Sequence, residues 1–544
     1  MNYNEKPWLK FYHKDVSEYL ELEEKCLSQL LLESVQRYGE QTALTFYNQK
    51  WTFNNVYQMT ERFAAWLYAE GFKKGDRLAI MLPNTPHYIF SLFGTLRLGG
   101  IVVQVNPMYV EREIEYVLND SGAEFIVVLD VLYPRVKNIQ NKTSLKKVIV
   151  VGQGSQTIDL VNGDIRFEDF LQTVPSKAPE VDINPSEDVA FLQYTGGTTG
   201  ISKGVMLTHF NIASNIEQMY AFSYQTLDDM PENPKAMSIL PMFHIYGLTC
   251  NVFLGFRVGV NQIILPRFDV EEVMQTVRRE KPFQFGGVPT MYTALNSHPE
   301  LESYGFDRIR FCNSGGAAMP VEQLHLFEKR TNCNLCEGYG LSESSPVTHF
   351  NPTFLVRRAG SIGIPLPNTE VKIVKETDKG IEEVPVGEVG ELIIKGPQVM
   401  KGYWNKPEET SAVLKDGWLF TGDLARMDED GYFYIADRKK DMILASGYNV
   451  YPREIEEVLY QHPAVKEVIV IGVPDEYRGE TVKAYITLKE EQKVTEEELI
   501  EFSRKYLAPY KSPRMIEFRD ELPKSSVGKL LRRVLRDEEM KKNS

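Results

Sequence analysis

The chain has 544 residues, 43% of them hydrophobic and 25% charged, with a net charge of −14. That length exceeds a single compact core and implies two or more domains, while the composition is that of a folded globular protein. The acidic balance argues against nucleic acid as the main partner, because a phosphate backbone requires clustered Lys and Arg; a few local cations can still hold a small polyanion.

The first residues, MNYNEKPWLKFYHKD, contain no apolar run or small-residue cleavage site, so no secretory signal is expected and a cytoplasmic protein is the reading. Strand and helix patterns then alternate. Asp76 to Leu82 reads as a strand, Pro86 to Leu98 as an amphipathic helix, Ile101 to Gln104 as a strand, Glu111 to Asn119 as a helix and Phe125 to Leu129 as a short buried strand. Such βαβα alternation predicts a largely parallel sheet covered on both faces. Ala236 to Phe256 lacks Asp, Glu, Lys and Arg and is long enough to cross a bilayer, but Pro241, His244 and Asn251 in its middle favour a buried strand, loop and helix. From Val371 to Tyr403 short strands and Gly/Pro turns predict a β-rich subdomain, and the block after Asp437 has the size of a small independent α/β unit. The charged run Asp437, Arg438, Lys439, Lys440, Asp441 marks the boundary. The five cysteines, Cys26, Cys250, Cys312, Cys333 and Cys336, form an odd, sparse set expected to be reduced; Cys333 and Cys336 make a CxxC that lacks the two further ligands of a zinc site.

The segment with the clearest chemistry is Tyr194 to Gly204, YTGGTTGISKG. Glycines that let backbone N–H groups approach, threonine hydroxyls and one lysine suit a polyphosphate. It is not a Walker A loop, because Gly200 is followed by Ile201, Ser202 and Lys203 where GxxxxGK[ST] requires Gly, Lys and Ser/Thr in succession.

Further motifs follow in order: PMFHIYG (Pro241 to Gly247), NSGGAAMP (Asn313 to Pro320), EGYGLSESSP (Glu337 to Pro346), TGD (Thr421 to Asp423), DRKKDMILASGYNVYPREIE (Asp437 to Glu456) and PKSSVGKLLRR (Pro523 to Arg533). With these the chain resembles, over nearly its whole length, the acyl-adenylate-forming superfamily of acyl-CoA synthetases, peptide-synthetase adenylation domains and firefly-type luciferases, and looks most like bacterial long-chain fatty acyl-CoA synthetases. The resemblance implies an α/β fold: a large N-terminal domain of βαβ-type sheets with a β-rich subdomain (1–437), a hinge (438–440) and a small mobile α+β C-terminal domain (441–544).

It also implies roles. Thr195, Gly196, Gly197, Thr198, Thr199, Gly200 and Lys203 resemble the loop that holds the ATP phosphates, and Glu343 the ligand of Mg²⁺, a hard cation that takes carboxylate and phosphate oxygens. Ser342, where the family usually has Thr, is expected to donate to the α-phosphate. Tyr339 resembles the ring stacked on adenine, with Gly315, Gly316 and Ala317 as a flat wall and Gly338, Gly340 and Tyr434 completing the nucleotide site. Asp423 resembles the carboxylate that receives the ribose hydroxyls, and Arg438 the residue behind it. Lys529 resembles the mobile catalytic lysine that bridges substrate carboxylate and α-phosphate. His244 is expected to shape and gate the acyl and pantetheine mouth, Lys440 matches the pivot, and Gly447 lies on the coenzyme A path.

Amino-acid-activating relatives carry an aspartate where this chain has Phe243, His244, Ile245 and Tyr246, and an unpaired buried ammonium is costly. A fatty acid is therefore expected as substrate, in a pocket lined from Pro241 to Gly255 and Gly286 to Thr290, with ATP and coenzyme A as co-substrates. Aryl or medium-chain acids are the alternative. A non-catalytic sensor is disfavoured because Lys529, Glu343 and Asp423 are all present; a luciferase-like oxygenase would share every adenylation motif. Peripheral contact with the inner face of the membrane, and a homodimer, stay open.

Overall fold

The computed structural model describes residues 3–152, 159–161, 163–172, 177–195, 202–225, 227, 230–353, 355–378, 380–445, 448–475 and 478–542. Its framework is a pair of large sheets. In the first, Ile101–Gln104, Arg77–Met81, Phe125–Leu129, Lys147–Val151 and Ile165–Arg166 run parallel, with Val189–Thr195 parallel to Ile101–Gln104 and then turned back antiparallel into Lys203–Thr208. In the second, Leu335–Gly340, Phe311–Ser314, Gln284–Gly287, Lys235–Ser238, Asn261–Ile264 and Thr42–Phe46 are parallel neighbours, with antiparallel strands at both edges.

Helices Leu27–Tyr38, Phe53–Ala69, Pro86–Arg97 and His209–Ser223 lie between the two sheets, and one apolar cluster joins Leu78, Ile80 and Val102 of the first sheet to Leu44 and Ile264 of the second through Phe53, Phe63, Phe90 and Phe93. Helix Pro86–Arg97 is buried almost all round, as a helix inside such a sandwich must be. The outer face of each sheet is covered by its own helices, Glu111–Ser121 on the first and Val270–Glu280, Pro289–Asn296 and Val321–Thr331 on the second. Local chemistry sets the ends: Thr52, Thr85 and Thr208 accept from backbone N–H groups of their first turns, and Gly122, at φ 64°, closes the helix that the sequence pattern ends two residues early. The Ala236 to Phe256 stretch is the expected strand, loop and helix, except that Gly247–Phe253 is wound as a π-helix.

A third, antiparallel sheet contains Glu370–Thr377, Gly390–Lys395, Trp418–Met427 and Phe433–Arg438. After four intervening residues Ile443–Ala445 opens a fourth sheet, with Val465–Asp475, Gly479–Leu488 and Met515–Phe518, which has its own core against helices Pro452–Tyr460, Glu496–Arg504 and Arg532–Lys542. The passage between these sheets falls in the charged run at 437–441. No helix among the described residues is long and apolar enough to cross a membrane.

Candidate active site

A cavity of about 1960 Å³ opens where the C-terminal ends of the parallel strands of the second sheet meet the third and fourth sheets. One side, where the phosphates are expected, begins at the hairpin in which Thr195 pairs with Lys203. Ser202 donates to the Thr195 carbonyl at 2.7 Å; Gly196, Gly197, Thr198, Thr199 and Gly200 lie outside the described residues. The Lys203 ammonium pairs with Glu409 and lies 5.0 Å from the centre of the Tyr403 ring, whose hydroxyl donates to Glu343 Oε1 at 2.8 Å. Tyr403 thus ties the loop lysine to the carboxylate expected to take a cation. Ser342 and Glu343 sit in the short turn Ser342–Ser344, pinned by Ser344, which accepts from the Leu341 N–H and donates to the Pro346 carbonyl.

Strand Leu335–Gly340 delivers Tyr339, whose hydroxyl donates to Asp423 Oδ2 at 2.6 Å. At Gly340 a Cβ would fall 2.0 Å from the Pro346 carbonyl oxygen, so only glycine permits this turn into the catalytic segment. Asp423 is paired in register with Arg438, whose Nε lies 3.8 Å from its other oxygen. Burial raises the Asp423 pKa, and the Arg438 charge opposes that rise. Gly315, Gly316 and Ala317 follow strand Phe311–Ser314 and line the cavity together with Gly338. Tyr434 does not. Strand alternation turns it to the face opposite Ile435, where its hydroxyl donates to Asp428 at 3.0 Å and Arg426 covers its ring, so its expected place in the nucleotide site is corrected.

Lys529 enters from the C-terminal unit. Thr290 donates to the Gly528 carbonyl at 2.8 Å and Asn106 to the Ser526 hydroxyl at 2.7 Å, fixing the Ser525 to Lys529 turn on the cavity rim. The lysine end passes over Gly316, at φ 81°, where a Cβ would sit 3.0 Å from Lys529 Cε. Burial, and then Arg438, lower its pKa to about 8, while Asp423 and Glu343 oppose that fall. His244 is half-buried beside it, accepts from the Tyr246 N–H at 3.2 Å, and is held neutral, its pKa pushed down to about 3 by desolvation and the Lys529 charge. A neutral imidazole fits a shaping role better than proton transfer.

The unit is clamped by charge. Buried Asp437 accepts from the Arg453 N–H at 2.9 Å and from Arg532 Nη1 at 3.0 Å; Arg532 also donates to Glu456 at 2.6 Å. Arg453 donates to the Ile435 carbonyl at 2.8 Å, and Glu457 accepts from the Val321 N–H at 3.3 Å. Lys440 is exposed in the turn between the third and fourth sheets; Gly447 lies outside the described residues. The apolar side of the cavity takes Phe243, Ile245, Tyr246, Cys250, Leu254, Pro289 and Thr290 from the expected segments.

The family model for AMP-binding enzymes matches residues 31–404, and that for their C-terminal domain residues 454–529. The chain belongs to the AMP-binding enzyme family. It is similar to a long-chain-fatty-acid–CoA ligase of Bacillus subtilis (strain 168), 46% identical over 98% of each chain, and to one of Escherichia coli O6:H1, 41% identical over 98% of each. Among solved structures, the anthranilate CoA ligase AuaEII in complex with anthranoyl-AMP superposes with a TM-score of 0.86 at 27% identity, covering 99% of both chains.

For this AMP-binding enzyme, motif reading located the groups that carry charge and missed those that hold them. Asn84 is buried; its amide donates to the Leu240 and Leu265 carbonyls at 3.1 Å and accepts from the Met242 N–H at 2.8 Å, fixing the approach to His244. The signal was an Asn-Thr-Pro step between a buried strand and a buried helix. Tyr403 carries no signature of its own, and Arg532 and Thr290 lie within named segments whose sequence does not reveal their contacts. All five cysteines are buried and unbridged, and no group of three or more His, Cys, Asp or Glu among the described residues could hold a metal.

Proposed function

We propose that the protein condenses a fatty acid with ATP to give acyl-AMP and pyrophosphate, then passes the acyl group to coenzyme A and releases AMP. In the first step a carboxylate oxygen bonds to the α-phosphorus as the bond to pyrophosphate breaks; in the second the thiol sulfur bonds to the acyl carbon, the bond to AMP breaks and the thiol proton leaves to solvent. The observation that carries this reading is the delivery of Lys529, on a separate unit, into a cavity that also holds Glu343, Asp423, Tyr339 and His244. Two anions must meet, and a preorganised cation in a water-poor site is the most effective help available.

Tyr339 and the wall Gly315 to Ala317 take the adenine, Asp423 with Arg438 the ribose, and Thr195 and Lys203 with their loop the phosphates. Glu343 keeps one carboxylate oxygen beyond the Tyr403 bond and would help hold Mg²⁺, a hard cation suited to carboxylate oxygens; bound there, the ion would neutralise phosphate charge. No base is needed, since a carboxylic acid is ionised at neutral pH. Thioester formation requires the unit 441–544 to turn about 438–440 and withdraw Lys529, with Lys440 as pivot and Gly447 on the pantetheine path. The long-chain assignment follows the activity named for the bacterial relatives and the apolar arm of the cavity.

The test is pyrophosphate release across saturated acids from acetate to stearate, plus cinnamic and benzoic acids, with and without coenzyme A. A best substrate among acids of eight or more carbons is expected. A preference for acetate, propionate or an aryl acid overturns the assignment.

A further inference from the structure

The apolar arm of the cavity has a direction and an end. Strand Phe311–Ser314 lends it Phe311 and Asn313, followed by Gly315, alternate residues on one strand face. Gly315 and Gly316 mark the reacting end, because the Lys529 side chain lies over Gly316 and the Tyr246 ring against Gly315. Phe311 therefore lies four residues away from the chemistry. Its neighbour on the parallel strand Gln284–Gly287 is Gln284, in direct register, so both begin their strands at the far end of the arm. The opposite wall runs the same way: Tyr246, Cys250 and Leu254 line it at four-residue steps along the helical segment, beginning beside Gly315.

At that far end Tyr224, just past helix His209–Ser223, crosses the arm. Its ring stacks on Phe311, with centroids 5.1 Å apart at 29°, and its hydroxyl donates to Gln284 Oε1 at 2.5 Å. Met219 and Ser223, at the end of that helix, also line the cavity. Both Tyr224 and Gln284 are 7% exposed. The hydroxyl is satisfied within the wall, so a methyl end arriving against the ring would leave no donor unpaired.

We infer that Tyr224, latched to Gln284 and stacked on Phe311, is the floor of the acyl arm and sets the chain length the enzyme gains from. This rests on the fatty-acid reading above. Four strand residues span roughly 13 Å, room for about ten methylene groups of an extended chain beyond the carboxylate. Affinity should therefore grow with each methylene up to about twelve carbons, and longer acids should gain nothing further unless Tyr224 gives way.

The experiment measures kcat/KM for adenylation of saturated acids of eight to eighteen carbons with wild type, Tyr224→Ala and Tyr224→Trp. Tyr224→Ala should raise the sixteen-to-ten-carbon ratio by about tenfold or more, within the range over which apolar pockets discriminate. Tyr224→Trp should lower that ratio, and neither variant should change the KM for ATP. An unchanged KM for ATP shows that a variant is folded, so its chain-length ratio can be read. Should one variant fail to fold, the other still decides. Wild type active on these acids with the ratio unmoved by substitution overturns the floor alone. Wild type inert towards every saturated acid overturns the fatty-acid reading, and the floor with it.

Discussion

Replacing Lys529 with alanine probes the cavity where its electrostatics are most concentrated. The half-buried ammonium is desolvated and feels the Arg438 charge, and its pKa falls from 10.5 to about 8 despite Asp423 and Glu343. A drop of that size means the free site disfavours the charged lysine by about 3 kcal/mol. The cost is offset only when substrate carboxylate and α-phosphate lie beside it, which is the moment the charge is needed. Lys529→Ala should therefore slow acyl-adenylate formation by at least about 10²–10³, yet leave thioester formation from supplied acyl-AMP near the wild-type rate. The sign of the pH dependence follows. The lysine is charged below about 8, so kcat/KM for adenylation should hold to that pH and decline as the pH rises through it; the alanine variant should lack that limb. His244, with a pKa of about 3, adds no limb between pH 5 and 9. Rapid-quench measurement of each half-reaction is the assay. Equal losses in both steps would refute the reasoning and leave Lys529 a structural residue.

Arg532→Ala strands Asp437 and Glu456, and removing one partner of such a buried pair costs about 3 kcal/mol or more; adenylation should fall by about two orders of magnitude, with the coenzyme A step from supplied acyl-AMP affected far less, as separate single-turnover rates will tell. Lys440→Pro fixes φ near −65° in the turn between the third and fourth sheets; it should retain substantial adenylation and lose thioester formation, and a variant slowed in neither step or in both alike would place the pivot elsewhere. Across saturated acids the wild type should show activity rising with length to a broad plateau, each methylene contributing up to about 0.8 kcal/mol; a sharp optimum at two or three carbons in the same assay contradicts this.

Much of the fold was legible because burial was written in composition. Phe125–Leu129 is an uninterrupted apolar run and Ile101–Gln104 is apolar up to its last residue, and both form strands over the expected residues. Helix ends shifted where a cap outweighed periodicity, as at Gly122. In the site, ordered motifs placed Lys529, Asp423, Glu343 and Tyr339 around one cavity, since each motif holds its chemistry and its backbone constraint together. Tyr434 lies between the quoted motifs, and its resemblance did not say which way the strand residue faces. The contacts of Asn84, Thr290 and Arg532, and those of Tyr224, Gln284 and Phe311, stayed hidden for another reason. Their partners are supplied by elements far apart in the chain, and only the packed structure brings them together.

The most direct test of the two-step account is a single-turnover chase. Enzyme in excess is mixed with ATP labelled in the α-phosphate and a twelve-carbon acid in the absence of coenzyme A, and the products are quenched and separated. The account predicts labelled acyl-AMP held on the enzyme with one pyrophosphate released per acyl-AMP, and on addition of coenzyme A its conversion to acyl-CoA and AMP at least as fast as steady turnover. Release of ADP, or acyl-CoA appearing with no acyl-AMP that a chase can consume, would contradict it.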